Sequence, residues 1–551
     1  MKKIGIIIQS TQCDKYLYET TRTLAQSKQV ALFFLISKEE KQLSAWQKIT
    51  FRIKTQGLLR LIAYLTFRIW LFVEGKILST VFQDIKQHHE GYDIDEFRQN
   101  EDTYLHPKFS KSGLVVRYPA EDIEQVRALN LDMIVRGNAS GIVRGDMLKV
   151  SKEGIISFHH GDNRWNRGGP PGFWEVYFRK PSTGFIIQML TPELDGGKVI
   201  FRGNQPTRRS YVENLVSLYN ESTPCMANII LKYAATDQLP PADEKVPYGG
   251  ALLITPTFTQ SISYLIRTSY LYSKIVFEKL IGKQEKWGVA FTKGPWRNSI
   301  MRRGTRIKNP KNHFFADPFI ITKNNKTICF VEDYDSQKKK GHITAIEILD
   351  KKNYEVLGTV IEEDFHMSFP YIFEYENELY MVPETVEAQS IRLYKCLEFP
   401  MKWTYQKDVM SHTSAVDTMI FELDGRWWLL TNMAENQYRD HCCRLMAYHS
   451  NAPLSGEWTP HQANPLVFDS AIARNGGILN LKNAPIRVRQ KQGFDAYGVA
   501  MTLAKINEIT ESSYNEEQIT EITPDFFPRI KGCHHMHSND EYTVYDYFPA
   551  K

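Results

Sequence analysis

A chain of 551 residues exceeds what one hydrophobic core organises, and at ~100–200 residues per domain it implies two to four units. Its 42% hydrophobic and 24% charged residues describe a globular protein, and a formal net charge of +5 is too small a basic excess for a nucleic-acid binder. Seven cysteines without a C-x-x-C pair argue against a disulfide framework or zinc ribbon and point to a reducing, cytoplasmic setting.

Met1-Lys2-Lys3 leads straight into Ile4-Gly5-Ile6-Ile7-Ile8, which is too short for a signal h-region and reads as a first buried strand. With the apolar runs Val30 to Ile36 and Met133 to Val135, set apart by helical-length segments, it predicts a parallel sheet with crossover helices. No G-x-G-x-x-G follows the first strand, so NAD is not expected. Segments 51–82 and 261–281 are apolar and aromatic. They are interrupted by Arg60 and Arg68 and by Arg267, Lys274 and Lys279, so neither offers the ~20 uninterrupted apolar residues of a membrane span. Helices packed within the protein and basic, aromatic helices lying on a membrane surface both fit this pattern.

The most specific N-terminal pattern runs from Gly154 to Gly203. A strand ends in His159, a Gly- and Pro-rich loop follows (Gly161-Asp-Asn-Arg-Trp-Asn-Arg-Gly168), and Asp195-Gly-Gly forms a later turn. A carboxylate beside an imidazole orients it and raises its pKa, so His159 and Asp195 are candidate acid–base partners. The stretch resembles the 10-formyltetrahydrofolate-dependent formyltransferases, the methionyl-tRNA and sugar N-formyltransferases among them. There the strand reads Asn-x-His, the loop closes on Arg-Gly and the turn reads Leu-Asp-x-Gly. The resemblance implies that His159 moves a proton, that Asp195 orients it, and that Ser157 stands in the place of the family's oxyanion-holding Asn. Asn138, Asn163 and Asn166 are candidate substitutes for that donor, and Arg167 closes the loop. The alternative is a degenerate copy of the fold that binds without turnover.

From about Trp287 the chain changes to short β-rich runs, and a repeat of roughly fifty residues emerges. Its corners are Ala316-Asp317-Pro318, Ser368-Phe369-Pro370, Val416-Asp417-Thr418, Arg474-Asn475-Gly476 and Cys533-His534-His535, each leading into two apolar strands. Five copies predict an all-β, five-bladed propeller with Asp317, Asp417, Arg474 and His534 at its axis and Glu384 beside them. Asp317 and Asp417 resemble the base and helper carboxylate of five-bladed arabinanases and β-xylosidases. The general acid that those enzymes take from the fourth blade is replaced by Arg474-Asn-Gly-Gly, which favours binding over hydrolysis. Phe315-Ala-Asp-Pro-Phe319, Phe369-Pro-Tyr-Ile-Phe-Glu374, Met381-Val-Pro-Glu-Thr385 and Pro453-Leu-Ser-Gly-Glu-Trp458 resemble the N-terminal propeller of glucosamine inositolphosphorylceramide transferases. Neither His441-Cys442-Cys443 nor Cys533-His-His-Met-His537 has the spacing of a zinc site, and no metal is expected.

The expected organisation is an α/β, Rossmann-like formyltransferase domain over 1–215, a helical connector over 216–285 and the propeller over 286–551. The expected function is N-formyl transfer from 10-formyltetrahydrofolate to an amino sugar, nucleotide- or lipid-linked, in surface-glycan synthesis. The alternatives are a glycosyltransferase or glycosidase acting in the propeller, and a carbohydrate-binding protein without turnover.

Overall fold

The computed structural model describes residues 1–38, 53, 57–110, 115–192, 197–244, 248–250, 252–282, 286–434, 440–481 and 484–550. The chain divides into two compact units, Met1–Phe277 and Glu278–Lys551.

The first unit is built on a seven-stranded sheet. In chain order its strands are β1 (Lys2–Ile8), β2 (Val30–Ser37), β3 (Thr103–Leu105), β4 (Met133–Arg136), β5 (Ile155–His159), β6 (Ser182–Met189) and β7 (Lys198–Pro206). Their spatial order is β7-β6-β5-β4-β1-β2-β3, with β5 through β3 parallel and β6 and β7 added antiparallel. The central strands are continuous apolar runs because helices cover the sheet: Ile4, Ile6, Ile7 and Ile8 are all fully buried. Helix α1 (Lys15–Ala25) starts where the Asp14 carboxylate accepts the N–H groups of Tyr16 and Leu17 at 3.1 and 2.9 Å, satisfying donors that a helix start leaves open. Further helices include α2 (Leu58–Leu78), α3 (Ala120–Ala128), α4 (Phe173–Tyr177), α5 (Tyr211–Thr236) and α6 (Phe258–Leu280).

The segment expected as a connector, 216–285, is not set apart. Helix α5 packs on α1 and β6 and buries Val216, Leu218, Met226 and Ile230, so it belongs to the core of the first unit. A buried polar hub fastens α2, α5 and α6 together. The Glu74 carboxylate accepts the Val212 N–H and the Tyr264 hydroxyl, and that hydroxyl accepts the Tyr211 N–H, each at 2.7 Å.

The described residues of the second unit form five antiparallel sheets, each of four or five strands. Their inner strands are β8 (His313–Lys323), β9 (Ser368–Tyr375), β10 (Ala415–Leu423), β11 (Asn475–Leu479) and β12 (Met536–Ser538). Each packs on the next, and β12 returns to β8. The fifth sheet joins the two ends of the unit: Gly288–Lys293 pairs antiparallel with Tyr542–Pro549.

The repeat corners have a common backbone cause. The first four inner strands shift register against their neighbours between Ala316 and Phe319, Ser368 and Tyr371, Val416 and Met419, and Asn475 and Ile478. In the first three, the residue after the shift begins lies in the left-handed region: Asp317 at φ 49°, Phe369 at 44° and Asp417 at 50°. Bulges of this kind bend a strand and re-aim one side chain. The equivalent residue of the fourth strand is Gly476, where a Cβ would stand 2.2 Å from the His534 carbonyl oxygen. The backbone of the fifth corner therefore fills the place where a fourth side chain would project.

Candidate functional site

In the first unit, a cavity of about 280 Å³ lies beyond the carboxyl ends of β4 and β5, lined by Asn138, Ser157, Phe158, His160, Asp14 and Tyr219 among others. Open α/β sheets place ligands in this position. Ser157 is buried and its hydroxyl donates to the Phe158 carbonyl at 3.1 Å. Asn138 accepts the Gln9 N–H at 2.8 Å, which ties it to the turn after β1. His159 closes β5 but is not among the lining residues. The imidazole that does face the cavity is His160, 3.2 Å from the Ser222 hydroxyl and 4.2 Å from the Tyr219 ring centroid. Burial, and then His159 beside it, push the His160 pKa down to about 3, so His160 is neutral across the physiological range.

The remaining loop residues hold one another. Asn163 accepts from Arg202 at 3.0 Å, Asn166 accepts the Gly168 N–H at 2.9 Å, and Arg167 donates to the Asn163 carbonyl at 3.1 Å while stacking on Tyr248. None of the three lines the cavity. Asp195, the expected partner of His159, lies outside the described residues.

In the second unit the expected residues do meet. Arg474 donates through Nε to Asp417 at 2.7 Å and holds Nη2 3.9 Å from Glu384. Gln490 adds a second bond to Asp417 at 3.1 Å. His534 bridges two buried carboxylates, Nε2 lying 3.1 Å from Asp317 and Nδ1 2.9 Å from Asp546. The backbone N–H groups of His534 and His535 also bond Asp546, at 2.9 and 3.0 Å, and fix that carboxylate in place. Trp287 and Tyr497 frame His534, with ring centroids 4.2 and 5.1 Å from its own. Arg474 stacks over Tyr497 at 4.9 Å. Tyr497 is 40% exposed, so the cluster has an aromatic rim open to solvent.

The electrostatics separate the carboxylates. Burial, and then the Asp417 charge, push Glu384 up to about 8 against the pull of Arg474, so it carries a proton at neutral pH. Burial and the nearby Asp317 and Glu384 likewise raise Glu332 well above the usual carboxylate range. Asp317 behaves oppositely: burial opposes its ionisation, but its bond to His534 and the charges of His534 and Arg474 together outweigh burial and hold it below the usual carboxylate range. Burial would likewise lower His534, yet Asp546 and Asp317 push it up to about 10, so it is an imidazolium. A protonated carboxylic acid and an ionised carboxylate thus stand in one cluster, the division of labour that acid–base catalysis uses.

Arg474 stands at the fourth corner, and Glu384 on the second sheet is the cluster's carboxyl nearest to it after Asp417. Asp546, Glu332, Trp287 and Tyr497 were not anticipated as site residues. Their signal lies one strand further on. Glu332, Glu384, Asn432 and Arg489 pair with Ala316, Ser368, Val416 and Asn475 at the corners, and Asp546 follows Tyr545, the partner of Met536. Two groups bring three possible metal ligands together among the described residues: Asp317, His534 and Asp546, and separately His313, Asp333 and His342.

Residues 280–529 match the family described as glucosamine inositolphosphorylceramide transferase 1, N-terminal. The chain is 32% identical over 240 residues to glucosamine inositolphosphorylceramide transferase 1 of Oryza sativa subsp. japonica, covering 43% of this chain and 31% of that protein. It is 32% identical over 212 residues to the Arabidopsis thaliana protein of the same name, covering 38% and 27%. The chain therefore spans about a third or less of the length of these relatives. Similar solved structures include Zg3597, a family 117 glycoside hydrolase of Zobellia galactanivorans (TM-score 0.33, 13% identity, 48% of this chain and 90% of that one). Another is a sugar N-formyltransferase from a Shewanella species (TM-score 0.28, 14% identity, 49% and 88%). The family model thus matches within the second unit, and the relatives are named as transferases.

Proposed function

We propose that the five sheets are the blades of a five-bladed propeller and that the cluster at their inner strands transfers a glycosyl group to or from a glycan or glycolipid. The observation that carries this is the pairing of a protonated Glu384 with an ionised Asp317 in one buried cluster. Glu384 would protonate the departing glycosidic oxygen. Asp317, backed by the His534 imidazolium and Asp546, would take the proton of the attacking hydroxyl. Trp287 and Tyr497 offer flat apolar faces to a sugar ring, while Arg474 stays fixed by Asp417 and holds the acid in position. The relatives that match this unit are named glucosamine inositolphosphorylceramide transferases, which supports a glycan or lipid-linked glycan as substrate.

The test is incubation of the full chain with a panel of nucleotide sugars and glycolipid acceptors, read by mass spectrometry. Addition of a glycosyl mass, lost in both Glu384→Gln and Asp317→Asn, is the expected result. Turnover that survives both substitutions refutes the assignment.

A second reading concerns the first unit: N-formyl transfer from 10-formyltetrahydrofolate to an amino sugar. It is favoured by the cavity that Ser157 and Asn138 line at the carboxyl ends of the parallel strands. A formyl mass gain that requires the folate, in the same panel, supports it, and its absence with every amine acceptor refutes it.

A further inference from the structure

We propose that α2 and α6 form a face of the first unit that binds the surface of an anionic membrane. This does not depend on which reaction either unit performs. Leu58, Ile62, Leu65, Ile69 and Phe72 recur every three or four residues along α2, Ile77 follows one turn beyond Val73 on the same side, and all are exposed. Ile69 and Phe72 each show 65% of their surface. On α6 Phe258, Ile262, Ile266 and Tyr270 are exposed every four residues, and Phe277 is exposed two turns further on. An amphipathic helix of a folded protein turns such a stripe inward. Here the inward faces are already used by other residues: Phe67 and Tyr264 pack with Phe173 and Tyr211, and Glu74 closes the polar hub. The exposed stripes are second, outward apolar faces on two helices anchored to the same hub.

The charges beside these stripes identify the partner. Arg60, Arg68 and Lys76 on α2 and Arg267 and Lys274 on α6 are exposed. On a helical wheel Lys76 falls within the apolar arc of α2, while Arg267 and Lys274 flank that of α6. The only carboxylate of α2, Glu74, is buried, and the only one of α6, Glu278, is half-buried. Apolar stripes bordered by cations, with no exposed anion, match the boundary between acyl chains and anionic headgroups, where long basic side chains reach up to phosphate. A second copy of this chain fits worse, because a two-fold interface sets a patch against itself and would bring these cations together with no counter-charge. Neither helix is long and apolar enough to cross a membrane, so the fit is to a surface.

The experiment is co-sedimentation of the full chain with phosphatidylcholine vesicles, with and without phosphatidylglycerol, at low and high salt, alongside light scattering of the protein alone. The expected result is binding to the anionic vesicles that falls with salt and is weak on phosphatidylcholine alone. The double variant Ile69→Glu/Ile266→Glu should bind at least about tenfold more weakly at unchanged melting temperature, since both residues are exposed. Lys76→Glu/Lys274→Glu should weaken binding by about fivefold or more per charge. Absence of binding at every salt, or binding that both variants retain, overturns the proposal. So does a dimer that Ile69→Glu/Ile266→Glu dissociates in a protein without vesicle affinity.

Discussion

The protonation of Glu384 can be measured without any substrate, and it responds to a defined perturbation. Arg474 holds Asp417 at 2.7 Å and stands 3.9 Å from Glu384. Bridged in this way, the two carboxylates lie within about 9 Å of each other, and at an effective dielectric of about 20 two unit charges so placed repel by about 2 kcal/mol. That corresponds to a little over one pH unit. Asp417→Asn removes the charge and keeps the shape, so Glu384 should release its proton near pH 7 rather than about 8. Infrared difference spectra reveal the protonated carboxyl directly. The wild-type band should vanish as pH rises through about 8, be missing in Glu384→Gln, and vanish about one pH unit lower in Asp417→Asn. Stability follows with a definite sign. Between the ordinary value of 4.5 and about 8 the folded protein holds a proton that the unfolded chain has released, so stability falls as pH rises across that window. Glu384→Gln should flatten that fall. A carboxyl band that titrates below pH 6, or one that Asp417→Asn leaves in place, would refute the account of this cluster.

Three other outcomes test the fold around the site. Gly476→Ala should destabilise the protein by about 3 kcal/mol or more in urea unfolding, because the new Cβ meets the His534 carbonyl at 2.2 Å. Arg487 is fully buried and makes paired bonds to Glu516 at 2.8 and 2.6 Å, so Glu516→Ala should cost about 3–5 kcal/mol. The double change Arg487→Met/Glu516→Leu should recover part of that cost, since it removes the Arg487 charge together with its partner and leaves Arg489, 3.2 Å from Glu516, without its counter-charge. Tyr264→Phe should cost about 1–3 kcal/mol and raise hydrogen exchange at the Tyr211 and Val212 amides, whose acceptors it removes or loosens.

The parallel strands of the first unit were legible because burial on both faces demands continuous apolar runs, as in Ile4 to Ile8 and Met133 to Val135. Three corners share a left-handed bulge residue, Asp317, Phe369 and Asp417, and the repeat was legible because Asp317-Pro318 and Gly476-Gly477 stand out in a β-rich sequence. Asp546 and Glu332 were not, because an acidic residue in the second strand of a hairpin looks like any solvent-facing position until the register is known. The boundary near 277 was hidden for a different reason. Helix α5 has an ordinary amphipathic pattern that says it packs on something, but not that its partner is the sheet that precedes it. His160 and His159 were indistinguishable by type, and only the alternation of side chains at the end of β5 decides which one a cavity sees.

The pairing of Gly288–Lys293 with Tyr542–Pro549 imposes an order on biosynthesis. About 250 residues separate these strands, so at ~5–20 residues per second the first waits roughly 10–50 s for its partner to leave the ribosome. During that interval four sheets can form hairpin by hairpin from local contacts, while the fifth exists only as Gly288–Lys293 paired with Thr305–Arg306 on one side and open on the other. A nascent chain stalled before Tyr542 should therefore be protease-resistant through its middle sheets and sticky at its start, and it is the stage at which a chaperone has most to shield.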